Sequence, residues 1–406
     1  MTDAPQFLLD PNWTFLNHGS FGATPREILD AQIKWRHQME RQPVRFVVDQ
    51  LQNATDAARK EAGRLLGANP ANLAFVSNAT TGVNAVMRSL SFRQGDEVLT
   101  TNHRYQAVRN TLDHICDRTG AKVVEAHIPF PLHSSEDIFS AVCNGFTSRT
   151  TLLVVDQISS PTALIFPVAR LIQEAKSRGI AVLVDGAHAP GQLGFGQDNP
   201  TPRDCPGLDD LGADFWVGNL HKWICAPKGA AVLWVADEHR PRIHAPAISH
   251  GYKQGIHAEF DWCGTFDPTA WLASADAIRL HETMGGATLR EANHQLVRAG
   301  RKIVADAIGA PLPHPDDPQI YGSMATIPLG VGIDHLQDVW RVLTENHRVE
   351  APIVPLPQSA RDQSPGQCGI RISGFAGYNV AQDYERLAAV LPSVVGQFTR
   401  QPWPTR

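Results

Sequence analysis

Charge is scarce in this 406-residue chain: Asp, Glu, Lys and Arg together make up 19% of it. Thirty-six basic residues against 41 acidic ones leave a formal net charge of -5. That balance lacks the basic excess of a nucleic-acid-binding chain, and 43% hydrophobic residues are too many for a disordered one. Thiol pairs are missing too. Cys116, Cys143, Cys205, Cys225, Cys263 and Cys368 are scattered with no CxxC, which reads as the reduced thiols of a cytoplasmic protein rather than a disulfide framework. Despite 17 histidines there is no HExxH and no HxH with a carboxylate at ligand spacing, so no metal site is expected. GxxxxGK[ST] and GxGxxG are absent, which argues against a nucleotide. No apolar run approaches a membrane span. The opening MTDAPQFLLDPNWTFLNHG lacks the basic and apolar regions of a signal peptide.

What is present is alternation. Residues 25–66 read as helix in two pieces, with Thr24 and Pro25 as cap and first-turn proline, an interruption at Pro43 and a stop at Gly67. From Asn72 onward, short apolar runs (NLAFVS, DEVLTT, AKVVEAHI, TTLLVVD, IAVLVD) alternate with amphipathic helical stretches. Strands apolar along their whole length belong to a sheet covered on both faces. The expectation is an α/β fold: a doubly wound, mostly parallel sheet of about seven strands. Three units are expected: an N-terminal helical segment over 1–68 that completes the substrate side, a large α/β domain over 69–285, and a smaller α+β domain over 286–406. Residues 236–265 read as a long loop, followed by a helix from about Pro268.

Open α/β sheets bind ligands beyond the carboxyl ends of their strands. Asn78, Thr80, Thr81 and Gly82 follow NLAFVS where a strand becomes a helix, a place suited to a phosphate. Asp185 closes IAVLVD, with His188 three residues on. Lys222 lies just beyond ADFWVGN, in the apolar stretch GNLHKWICAPKG. Singly, these read as a capped helix, a turn-capping acid and a solvated lysine. Together they match the needs of pyridoxal 5'-phosphate (PLP): donors for the phosphate, a carboxylate for the pyridine nitrogen, an amine for the aldehyde.

The segments FLNHGSFGATP (15–25), NATTGVN (78–84), TTNHRYQAV (100–108), VDGAHAPGQ (184–192), GNLHKWICAPKG (218–229), WCGTFDPTAWLA (262–273) and IRISGFAGYN (370–379) span nearly the whole chain. In them the sequence resembles the class V aminotransferase family of fold type I PLP-dependent enzymes, and within it the isopenicillin N epimerase-like branch. The resemblance implies Lys222 as the Schiff-base lysine, Asp185 at the pyridine nitrogen and His188 at the phenolic oxygen. It implies Thr80, Thr81 and His221 at the phosphate, with Asn219 nearby. Tyr105, or its rival His103, would stack on the cofactor, and Gln157 is a second neighbour for the phenolic oxygen. Arg371 would grip the substrate α-carboxylate, with Asn17 and His18 on the substrate side. Thr265 would reach the phosphate of a neighbouring subunit in a homodimer with shared sites.

For the reaction, the resemblance puts epimerisation of an amino-acid α-carbon first, with Lys222 serving one face and Tyr105, His103, His18 or water the other. A carbon–sulfur lyase like the hercynylcysteine sulfoxide lyases comes second, and transamination third. Cysteine desulfuration is disfavoured because Cys368 lies only three residues before Arg371 and reads as a structural thiol. A PLP fold used as a regulatory module is disfavoured by the presence of Lys222, Asp185 and Arg371. The loops 236–265 and 352–368 are expected to read the substrate side chain.

Overall fold

The computed structural model describes residues 5–196, 201, 203–358 and 366–398. The alternating region forms one seven-stranded sheet. Its strands are β1 (Leu73–Val76), β2 (Glu97–Thr101), β3 (Lys122–Ala126), β4 (Thr150–Asp156), β5 (Ala181–Asp185), β6 (Phe215–Asn219) and β7 (Ala231–Val235). Their spatial order is β1-β7-β6-β5-β4-β2-β3. All neighbours run parallel except β7, which is antiparallel to both β1 and β6. Most of the apolar runs have the expected cause: β1, β2, β6 and β7 are buried along their whole length and β4 and β5 at all but one residue, whereas the edge strand β3 is only half-buried.

The helices around the sheet follow from local signals. At the N-terminus, α1 (Arg26–Arg41) is capped by Pro25 and not by Thr24, whose hydroxyl instead donates to the Ala226 carbonyl at 3.2 Å. Gln42 leaves helical geometry, Pro43 restarts the helix, and the chain runs into α2 (Leu51–Leu66), which stops at left-handed Gly67. Next come α3 (Ala79–Ser89), α4 (Gln106–Thr119), α5 (Ser135–Gly145) and α6 (Val168–Ser177). The Asn78 side chain accepts the Thr81 N–H and so caps α3 directly above β1. Residues 236–265 hold only two short helical turns, Asp237–Arg242 and Ile256–Phe260.

Helix α7 (Thr269–Thr283) starts behind Pro268, is buried from Thr269 to Ala275, and packs on α1 and α2. Gly285 and Gly286, both at positive φ, separate it from α8 (Ala287–Ile308). Beyond it, β8 (Met324–Gly332), β9 (Ile353–Pro355) and β10 (Gln367–Ser373) form an antiparallel sheet in the order β9-β10-β8, covered by α8 and by α9 (Ala381–Gly396). Part of the N-terminal segment reaches this end, where Thr14–Phe15 pairs parallel with Val349–Glu350. No helix among the described residues is long and apolar enough to cross a membrane.

Candidate active site

A cavity of about 600 Å³ opens at the carboxyl ends of β1, β4, β5 and β6. Thr80, Thr81, Tyr105, Asp185, His188, Asn219, His221 and Lys222, eight residues singled out from sequence, all line it. The parallel sheet makes this convergence, because every one of those residues ends a parallel strand or follows one on the same side of the sheet.

Lys222 is the central amine. Its Nζ lies 3.2 Å from Nε2 of His188. Burial and the nearby Arg371 cation lower its ammonium to about 7, against the opposing pull of Asp185. Asp185 ends β5 and accepts the Ala187 N–H at 3.0 Å. Burial raises its carboxyl, while that N–H and the Lys222 cation favour its anion. Burial and Lys222 push His188 well down, so its imidazole is neutral, and its Nδ1 is a buried atom without a partner.

At the far end, the start of α3 is built from interlocked side chains. Asn78 Oδ1 accepts from the Thr81 N–H at 2.9 Å and from its hydroxyl at 3.1 Å, and Ser77 Oγ lies 2.9 Å from that hydroxyl. Asn219 Oδ1 accepts the Ala79 N–H at 2.9 Å, which ties β6 to the helix start. The His221 Nδ1 donates to the Ala230 carbonyl at 3.0 Å, and burial lowers the ring to about 4.

Arg371 comes from β10. It donates to the Ser160 carbonyl at 2.6 Å, to the Ser160 hydroxyl at 3.1 Å and to the Ser20 hydroxyl at 2.9 Å. It is 3% exposed, its Nε has no partner, and no described carboxylate pairs with it. Burial lowers its guanidinium to about 10. Ser20 and Ser160 form the cavity wall in front of this buried cation. An anionic ligand group is the natural complement of such an arginine.

Several expectations need correction. Gln157 does not line the cavity. Side chains alternate along the chain leaving β4, so Asp156 and Ile158 face the cavity while the Gln157 amide accepts from Trp216 Nε1 at 2.8 Å and donates to Cys205 Sγ at 3.4 Å. Asn17 points elsewhere, with its amide 3.4 Å from Glu350 Oε1 in a separate cavity. His18 is completely buried behind Lys222, not on the substrate side. His103 is a core histidine held by the Thr162 hydroxyl at 2.8 Å and the Ile128 carbonyl at 3.2 Å, whereas Tyr105 faces the cavity and is 47% exposed. Thr265 is exposed in the turn before α7 and does not line the cavity of its own chain. Sequence reasoning passed over Asp156, Ser20, Phe21 and Ser160, all on the cavity wall. The strand-end rule that selected Asp185 would also have selected Asp156. Cys368 is fully buried in β10, donates to the Val331 carbonyl at 3.4 Å and is raised to about 11 by burial, so it is no nucleophile.

The profile of the family described as Aminotransferase class-V matches residues 22–387. This chain belongs to the class V aminotransferase family. Among family relatives, isopenicillin N epimerase from Streptomyces clavuligerus is 29% identical, over 97% of this chain and 97% of that one. An L-cysteine desulfhydrase from Arabidopsis thaliana is also 29% identical, over 96% of this chain and 89% of its own. Among solved structures, the cystine C–S lyase C-DES in complex with its reaction product cysteine persulfide superimposes with a TM-score of 0.75 at 19% identity, covering 96% of this chain and 98% of that one. That likeness identifies the fold as the fold type I α/β architecture. The family's cofactor is PLP, and the cavity fits it: a lysine amine, a buried carboxylate, a neutral histidine with an orphan nitrogen, and hydroxyls at a helix N-terminus.

Proposed function

We propose that this class V enzyme acts on an amino acid with a sulfur-bearing β-substituent and expels that substituent, as a carbon–sulfur lyase. PLP supplies an electron sink conjugated to the substrate α-carbon. Lys222 would hold the cofactor through its Nζ, and that amine, lowered to about 7, is the group positioned to take the substrate α-proton. Asp185 would face the pyridine nitrogen and favour its protonated form. His188 would be the neutral neighbour of the phenolic oxygen, and Thr80, Thr81 and His221 would hold the phosphate. Asn219 fixes the helix start through the Ala79 N–H. Arg371, backed by Ser20 and Ser160, would receive the α-carboxylate, and Tyr105 would cover the ring.

One observation carries the choice of reaction. Of the three side chains suggested by sequence as a second acid, His18 and His103 are sequestered with both ring nitrogens occupied by protein partners. Elimination needs one base, and Lys222 supplies it. Epimerisation, first on sequence grounds, is the second reading, and the cavity-facing hydroxyl of Tyr105 is the observation in its favour. Transamination has no observation of its own behind it. Thr265, exposed ahead of α7, is proposed to complete the phosphate site of a second subunit in a homodimer. The division into 1–68, 69–285 and 286–406 is proposed on the same footing, as is residence in the cytoplasm.

The test supplies PLP-loaded protein with L-cysteine, S-substituted cysteines and other L-amino acids in deuterated water. Pyruvate, ammonia and a released sulfur product establish the lyase. Deuterium at the α-carbon with inversion and no pyruvate establishes the epimerase and removes the first reading.

A further inference from the structure

The cavity holds a second carboxyl group. Asp156 ends β4 and is the in-register neighbour of Asp185 at the end of β5. Both line the cavity, and they are 4% and 5% exposed. Paired positions of parallel strands send their side chains to the same face, so the two carboxyls share one water-poor wall. Two such groups do not both ionise unless each has its own counter-charge.

Their surroundings are unequal. Asp185 has the Ala187 N–H and faces the Lys222 cation. Asp156 has the Tyr105 N–H and the Arg104 guanidinium from the loop after β2. That guanidinium is already paired with Glu125 at 3.1 Å. His188, from the turn after β5, lines the same cavity as a neutral ring and brings no counter-charge. Burial raises both carboxyls, and the negative charge of Asp185 raises Asp156 further.

We propose that Asp156 is a neutral carboxylic acid beside an ionised Asp185, so that the pair presents one negative charge to the pyridine ring of the cofactor. The role rests on the PLP reading of this cavity. One anion matches one pyridinium proton, whereas two would leave an uncompensated charge in a buried site. Asp156 acts through Asp185 and is a positioning residue.

The test compares wild type with Asp156→Asn, whose amide mimics the neutral acid. In protein without cofactor, the folded state holds the Asp156 proton above the ordinary value of 3.8 at which the unfolded chain releases it. Wild-type stability therefore falls as pH rises from about 4 until Asp156 ionises in the fold. Asp156→Asn lacks this slope, and its Tm at about pH 8 is expected to equal or exceed the wild-type value by about 2 °C. Parallel Tm profiles in the two proteins would overturn the proposal.

In the PLP-loaded protein, the visible band is expected to titrate within about half a pH unit of wild type, because no charge has been removed. A fall of about one unit or more would mean that Asp156 was ionised, and overturns it. Should the variant not fold, infrared spectra of wild type with labelled aspartate decide: a carboxylic-acid band at neutral pH supports the proposal, and carboxylate bands alone refute it. If wild type takes up no PLP, the cofactor reading fails, while the Tm and infrared measurements still report the charge on Asp156.

Discussion

The Nε2 of His18 lies 3.0 Å from the main-chain carbonyl of Lys222, and its Nδ1 lies 2.6 Å from the Tyr378 hydroxyl. A carbonyl only accepts, so Nε2 carries the proton and Tyr378 donates to Nδ1. The ring stacks on Phe375 at 4.4 Å between centroids, and burial lowers it to about 3, so it stays neutral across the working range. The same short turn carries Ser20, a partner of Arg371. One N-terminal turn thus braces both the Lys222 main chain and the Arg371 guanidinium.

Replacing His18 by Phe removes a donor and an acceptor from the interior and strands the Lys222 carbonyl and the Tyr378 hydroxyl. Stability is expected to fall by about 2–4 kcal/mol, measured by denaturant unfolding, with weaker PLP retention. His18→Asn is expected to recover part of the loss. Unchanged stability in the Phe variant would refute the bracing role.

Gly22 ends that turn at φ 68°, and a Cβ there would stand 2.2 Å from the His221 carbonyl oxygen. Gly22→Ala is expected to cost more than about 2 kcal/mol and to displace the Lys222 backbone. The check is thermal unfolding together with the intensity of the visible cofactor band.

Lys222, lowered to about 7, gives a pH signature in protein without cofactor. The rate of PLP capture is expected to rise through about pH 7 as the amine is freed. Because the unfolded chain keeps that proton up to about 10.5, the Lys222 contribution to stability increases with pH between the two values. Lys222→Met is expected to abolish both effects. A capture profile that rises only near pH 10 would contradict the depressed value.

Arg371→Gln is expected to weaken binding of amino-acid substrates by about 100-fold, read from substrate-induced changes in the visible band, and to leave amines without a carboxylate unaffected. Ser20→Ala and Ser160→Ala should each cost about five- to tenfold. Equal losses for acids and amines would remove Arg371 from carboxylate recognition.

Gln157→Leu tests the correction from Gln157 to Asp156. It is expected to leave the cofactor spectrum unchanged while lowering stability by about 1–3 kcal/mol, because the Trp216 indole loses its acceptor. A shift of the visible band would return Gln157 to the site.

Much of this was legible in the residues themselves. Apolar runs bounded by turn residues specify buried parallel strands, and the sheet's geometry then gathers whatever follows those strands, which is how Thr80, Asp185, His188 and Lys222 were found together. Failures occurred where a side chain's direction mattered more than its position. Gln157 and Asp156 are adjacent, and the pleat sends one into the core and the other into the cavity. Thr24 has the chemistry of a cap, but a carbonyl 202 residues away claims its hydroxyl. Part of the expected loop 352–368, residues 359–365, lies outside the described residues.

By itself the sequence determined the fold class, the cofactor family and the strand ends that meet at the cavity, because those depend on periodicity and on local residue types. Only the tertiary structure decided that His18 supports Lys222 from behind, that His103 is core, that Ser20 and Ser160 flank Arg371, and that Asp156 stands beside Asp185. Those relations join residues from 25 positions apart, for His103 and Ile128, to 351, for Ser20 and Arg371. No local pattern encodes such distances; they are set by how the N-terminal turn, the parallel sheet and β10 pack around one cavity.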